Sequence, residues 1–230
     1  MKKNILILGG FSINKLTYKS LIKKLQSNNY KVIFKKLDTS ISFEIAVNNI
    51  SKYITKYRPS TVIVHSISAV LLHAYMIKNK KLYKNNMNTM YFKIAIFTPI
   101  HNLDIINDIF IPDFLRCNIL IPSYIFITIA KICDIFSEKT SIFDNIEFYN
   151  IGLLTNTLQH IKDYNEHYKK FLSDCDKFVV VSKGDKMFGC DKSIIKNNMK
   201  NKFISNTDTH ISVLCNNKFL NSLIKFIKFY

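Results

Sequence analysis

A serine, an aspartate and a histidine stand at three separate points of the chain, each just past an apolar run. Ser66 follows TVIVH, Asp185 follows KFVVV within KFVVVSKGD, and His210 follows NKFIS within NKFISNTDTH. A serine hydroxyl attacks a carbonyl carbon only if a base takes its proton, and an imidazole does so best when a carboxylate orients it and stabilises the imidazolium. The tetrahedral oxyanion that results needs N–H donors. A fourth apolar run, NILIL, ends at Gly9-Gly10, which punctuates it as a loop. Serine, acid and histidine in that chain order, behind a glycine loop, supply the parts for acyl transfer. Each part also has a plainer use. Ser66 suits the cap of a helix that begins beside it, Asp185 suits a turn after Gly184, and His210 alone suits an ordinary loop. Asp104 and Asp208 are alternative carboxylates, although one only two residues from the histidine is badly placed for its ring nitrogen. His65, His73, His101, His160 and His167 carry no pattern and read as structural or solvated.

The elements that must position these residues are legible as a change of period along the chain. Residues 4–8 (NILIL), 31–35 (KVIFK), 61–65 (TVIVH), 91–99 (YFKIAIFTP), 177–181 (KFVVV) and 201–205 (NKFIS) are short continuous apolar runs, which predicts buried strands. Between them apolar residues recur at helical spacing: Tyr18, Leu21, Ile22 and Leu25, behind Ser12 and Asn14 as caps; then Phe43 to Tyr57, stopping at Arg58-Pro59; then 67 to 77. Further helices are predicted over Thr157–Leu172, Asp191–Met199 and the C-terminal stretch with Phe219, Leu220, Leu223, Ile224 and Ile227. Strands alternating with helices predict a three-layer α/β/α sandwich around a mostly parallel sheet. Such sheets hold their sites at the carboxyl ends of the strands, where Gly9-Gly10, Ser66, Asp185 and His210 all fall.

Composition narrows the function classes. With 230 residues, 48% hydrophobic content, 5 Gly and 4 Pro, the chain reads as a single domain over 1–230, with no disordered linker. The formal net charge of +17 raises nucleic acid or an anionic membrane as partner. The 33 basic residues include only two arginines, Arg58 and Arg116, whereas bidentate readout of bases favours arginine, so no specific nucleic-acid site is expected. Five cysteines without metal-ligand spacing indicate neither a disulfide framework nor a zinc centre. The N-terminal apolar run is too short for a signal-peptide core, and NILIPSYIFITIA, residues 118 to 130, is too short for a spanning helix, which leaves a cytoplasmic location as the expectation.

The VHSISA segment resembles the nucleophile elbow of the α/β-hydrolase superfamily, lipase/esterase type, in which Gly-His-Ser-x-Gly-Gly follows the central strand. The resemblance covers about 1–98 and 172–230. It implies Ser66 as nucleophile, His210 as general base and Asp185 as its acid partner. Gly9-Gly10-Phe11 resembles the His-Gly-x oxyanion loop, with Gly9 in place of the histidine, which implies oxyanion donors from the backbone N–H groups of Phe11 and Ile67. Residues 99–171 would be the helical cap insertion, or lid. The implied activity is hydrolysis of carboxylic esters without a metal or organic cofactor, on a small-molecule ester or lipid substrate, since the span 98–138 is apolar and has only Arg116 and Lys131 as basic residues. Weak contact with an anionic membrane surface is a further expectation, and the sequence leaves the oligomeric state open. Ser68 and Ala69 are small, as the elbow requires. Val64 is bulky and is expected either to shift the helix or to mark a site without turnover, in which case the chain would be an inactive α/β-hydrolase-like interaction protein.

Overall fold

β-branched and other apolar residues in runs of five cannot form an amphipathic helix, and all six runs become strands of one sheet. The computed structural model describes residues 2–11, 13–79, 92–100, 112–122, 148–174, 176–183, 185 and 201–229. The sheet strands are β1 (Asn4–Leu8), β2 (Lys31–Lys35), β3 (Thr61–His65), β4 (Lys93–Phe97), β7 (Phe178–Ser182) and β8 (Lys202–Ser205), and β5 (Leu120–Pro122) pairs antiparallel with β6 (Phe148–Asn150) as a separate ribbon. The sheet order is β2-β1-β3-β4-β7-β8, with every pairing parallel. Parallel strands require crossovers, and helices α1 (Lys19–Ser27), α2 (Phe43–Tyr57), α3 (Ile67–Lys78), α4 (Ile151–Asp163), α5 (Asn165–Ser173) and α6 (Asn217–Phe229) are the described ones.

Side-chain alternation divides the core in two. Leu6, Leu8, Val62, Val64, Ile94 and Ile96 point to one face, under α2, α3, α4 and α5. Ile5, Ile7, Ile63, Ala95 and Phe97 point to the other, under α1 and α6. Full burial of each Val, Leu, Ile or Phe among them stabilises the fold by roughly 1.5–3 kcal/mol. Strand β3 lies at the centre, with all five residues buried. The helix it feeds is buried without interruption from Ile67 to Tyr75, so α3 is apolar all round and not amphipathic.

Several boundaries differ from the sequence reading for local reasons. Tyr18 closes a 3₁₀ turn, Lys15–Tyr18, whose Asn14 cap accepts from the Leu16 N–H at 2.9 Å, and the α-helix begins only at Lys19. The helix predicted over Thr157–Leu172 starts earlier, because Asn150 Oδ1 caps the Leu153 N–H at 3.3 Å, and it breaks at Tyr164 into α4 and α5. Arg58 adopts φ 41°, a left-handed cap before Pro59. The predicted helix 191–199, Ser12, and 101–111 and 123–147 of the expected cap lie outside the described residues. No helix among the described residues is long and apolar enough to cross a membrane.

Candidate active site

Strand β3 cannot run straight into α3, because a helix laid back over the sheet must reverse direction within one residue. Ser66 makes that reversal, with φ 56° and ψ −129°, a conformation that costs an L-residue of order 1–3 kcal/mol. It is pinned from both sides: its N–H donates to the Phe97 carbonyl at 3.0 Å, and its carbonyl accepts from the Ala69 N–H at 2.9 Å. The expected conflict at Val64 does not prevent the turn, since Val64 is wholly buried in the core cluster that holds α3. Ser68, two residues past the turn, donates its hydroxyl to the Gly9 carbonyl at 2.5 Å and so ties the elbow to the glycine loop.

The loop comes close enough to exclude a side chain. A Cβ on Gly10 would stand 2.8 Å from His65 Nδ1 and 3.3 Å from Ser66 Cβ, so glycine is required there by approach. Phe11 packs its ring 5.1 Å from that of Tyr149 on β6, which brings the ribbon against the loop. Ile67 is the first residue of α3, so its N–H has no partner within the helix and belongs to the donor end.

Asp185 and His210, 25 residues apart, are joined: His210 Nδ1 lies 2.6 Å from Asp185 Oδ2. The aspartate side chain is fully buried and the histidine side chain 11% exposed, which leaves the imidazole as the part near solvent. The alternative carboxylate Asp208 is occupied elsewhere. It accepts from the Ser205 hydroxyl, from Ser212 Oγ at 3.2 Å and from Asn216 Nδ2 at 2.7 Å, and thereby shapes the loop that carries His210. Asp104 and His101 lie outside the described residues.

Three partners join the site: His65, which stands where the elbow motif has its frequent histidine, and Tyr18 and Thr98, which carry no functional signal in the sequence. His65, read as structural or solvated, is buried with Nδ1 2.8 Å from the Tyr18 hydroxyl and Nε2 3.1 Å from the His210 carbonyl. Tyr18 Oη also lies 2.7 Å from the Gly10 N–H, and Thr98 Oγ1 donates to the same His210 carbonyl at 3.1 Å. Thr98, like Ser66, ends its strand with positive φ, here 40°. Burial, reinforced by the His210 ring, pushes the His65 pKa down to about 3, so its imidazole is neutral at physiological pH. Burial raises the Tyr18 hydroxyl well above its ordinary range, so it keeps its proton. Tyr18 is visible in the sequence only as an apolar position of a helical stripe. Among the described residues no group of three or more His, Cys, Asp or Glu side chains could hold a metal ion.

No family model and no curated protein matches the sequence. The fold does match solved structures. A bromoperoxidase from Bacillus anthracis superposes with a TM-score of 0.56 at 8% identity, covering 99% of this chain and 92% of that one. Polyneuridine aldehyde esterase gives 0.55 at 11% identity, covering 98% and 99% of the two chains. Est1E from Butyrivibrio proteoclasticus gives 0.55 at 11%, covering 99% and 86%. With its parallel six-stranded sheet, its serine at the strand-to-helix reversal and these matches, the chain has the fold of the α/β-hydrolase superfamily.

Proposed function

We propose that the protein is a serine hydrolase of carboxylic esters, lipase- or esterase-like, working through an acyl-enzyme at Ser66. The observation that carries this reading is the pairing of a strained serine at the strand-to-helix reversal with a buried carboxylate–imidazole pair at the same sheet edge. In the first half-reaction Ser66 Oγ attacks the ester carbonyl carbon while His210 Nε2 takes the hydroxyl proton. Asp185, bonded to Nδ1, holds the tautomer and stabilises the imidazolium. The oxyanion is received by the backbone N–H groups of Phe11 and Ile67. The C–O bond to the alcohol then breaks as the imidazolium returns its proton to the leaving oxygen. Water repeats the sequence in reverse and releases the acid. No metal or organic cofactor enters these steps.

The substrate class follows from what lies over the loop. Tyr149 packs on Phe11, and beside it on the ribbon Leu120 and Phe148 are 52% and 43% exposed. Exposed apolar groups on the ribbon that packs against the glycine loop suit an apolar acyl or alcohol portion, so a small-molecule ester or a lipid is the expected partner. The lysine-rich composition adds weak attraction to an anionic membrane surface.

The test is fluorophosphonate labelling of the purified protein, with the modified peptide located by mass spectrometry. Labelling at Ser66 is expected, with loss in both Ser66→Ala and His210→Ala, and ester turnover is expected to fall by at least about 10³-fold in the serine variant. Ester hydrolysis retained by folded Ser66→Ala would remove the proposal. A folded wild-type protein that resists the probe would return the chain to the interaction-protein reading.

A further inference from the structure

Four groups between the glycine loop and the base form one chain of contacts: Gly10 N–H, Tyr18 Oη, His65 and the His210 carbonyl, linked at 2.7, 2.8 and 3.1 Å. The direction of every bond follows from the two ends. A carbonyl oxygen only accepts, so His65 Nε2 carries the hydrogen that faces His210. A neutral imidazole then has a bare Nδ1, which accepts the Tyr18 O–H. The Tyr18 oxygen in turn accepts from Gly10, an amide that only donates. One proton arrangement satisfies the chain, and no member can reverse without leaving a buried polar group unpaired.

The same side chains touch all three parts of the site. His65 is covalently next to Ser66, its ring centroid lies 4.9 Å from that of His210, and the Gly10 backbone passes too close to it for any Cβ. Tyr18 is fully buried and is held in place by Phe34 at 4.9 Å between centroids. Both side chains are buried, Tyr18 fully and His65 to within 1%, so neither is open to solvent. Resting on the reading of Ser66 as nucleophile, we propose that Tyr18 and His65 are positioning residues: one directed ladder of hydrogen bonds fixes the Gly10 peptide, and with it the adjoining Phe11 N–H, and the His210 backbone relative to Ser66. Thr98 shares the load at the His210 end, where it is the second donor to the same carbonyl.

The test combines a spectroscopic and a kinetic reading of the full chain. Imidazole ¹H–¹⁵N correlation spectra should show His65 as the Nε2–H tautomer, unchanged from about pH 5 to about pH 8. Tyr18→Phe should move the His65 Nδ1 resonance, the Gly10 amide and the His210 ring signals together, and lower kcat roughly tenfold with little change in KM, because the donors are displaced while the substrate surface is kept. His65→Gln, which retains one donor and one acceptor, should keep more of the rate than His65→Leu, which retains neither. A His65 ring protonated on Nδ1 would overturn the ladder, as would Gly10 and His210 signals indifferent to Tyr18→Phe. Equal rate loss in the two His65 variants would also overturn it. If the wild-type protein neither labels nor turns over esters, the hydrolase reading falls, while the spectra alone still decide whether the ladder ties loop to base.

Discussion

Two buried histidines flank the elbow, His65 just before Ser66 and His73 two turns into α3, and they are used in opposite ways. Each is almost without solvent exposure, and each has its pKa lowered to about 3, chiefly by burial. The neighbours differ. His65 sits between an amide donor, relayed by Tyr18, and a carbonyl acceptor, so its proton has one place. His73 Nδ1 meets His160 Nε2 on α4 at 3.0 Å, and either ring can donate to the other. Around that pair are aromatic rings: Phe43, Tyr164, Tyr168 and Phe171. Burial makes a histidine neutral, and the directionality of its partners decides whether it sets a geometry or only joins two helices.

The strongest way to break this contrast is at Gly10. Gly10→Ala forces a methyl group onto His65 and Ser66, and ester turnover should fall about 10²-fold, the usual cost of misplacing a reacting group by an ångström. A kinetic assay on the folded variant checks it, and wild-type kcat would show that the loop need not lie so close. The His73 side should respond in stability and not in rate. His73→Ala leaves His160 Nε2 without its partner, and urea unfolding should show a loss of about 2 kcal/mol while kcat stays near wild type. A matching fall in kcat would mean that the pair also serves the site.

The smallest effect sharpens the comparison through pH. A histidine whose folded pKa lies below its unfolded value binds fewer protons folded than unfolded, so stability is complete above about pH 6.5 and drains as pH falls toward the folded value. For His65 this amounts to about 1 kcal/mol between pH 7 and pH 5.5. His160, pushed down to about 4 by burial, follows the same sign. Replacing the pair with His73→Phe and His160→Phe should flatten the stability–pH curve without abolishing its slope, the remainder belonging to His65. An unchanged curve, followed by denaturation at stepped pH, would mean that the pair is not neutral in the fold.

The strands were legible because short apolar runs bounded by turn residues suit a parallel sheet covered on both faces; β1 and β3 match their runs residue for residue, as does the half-buried edge strand β2. That Ser66, Asp185 and His210 lie past the carboxyl ends of strands was legible because each follows such a run, and the Asp185–His210 bond brings together two loops far apart in sequence. What could not be read was anything that depends on the side chain's surroundings. Tyr18 looks like any apolar stripe residue until its hydroxyl is found between Gly10 and His65, and Val64 looks obstructive until its side chain is seen to point into the core. The break at Tyr164 was hidden for a related reason, since apolar spacing continues across it while the backbone does not.

Helix α3 has a consequence for how the molecule comes together. Apolar on every side, it offers water no acceptable face and gains nothing by forming alone. It can settle only once β3 lies beneath it and α2, α4 and α5 are ready to close over it. The contorted backbone of Ser66 belongs to that docked arrangement, so a chain in which α3 has not yet docked has the serine in its sequence but not the sharp turn that presents it.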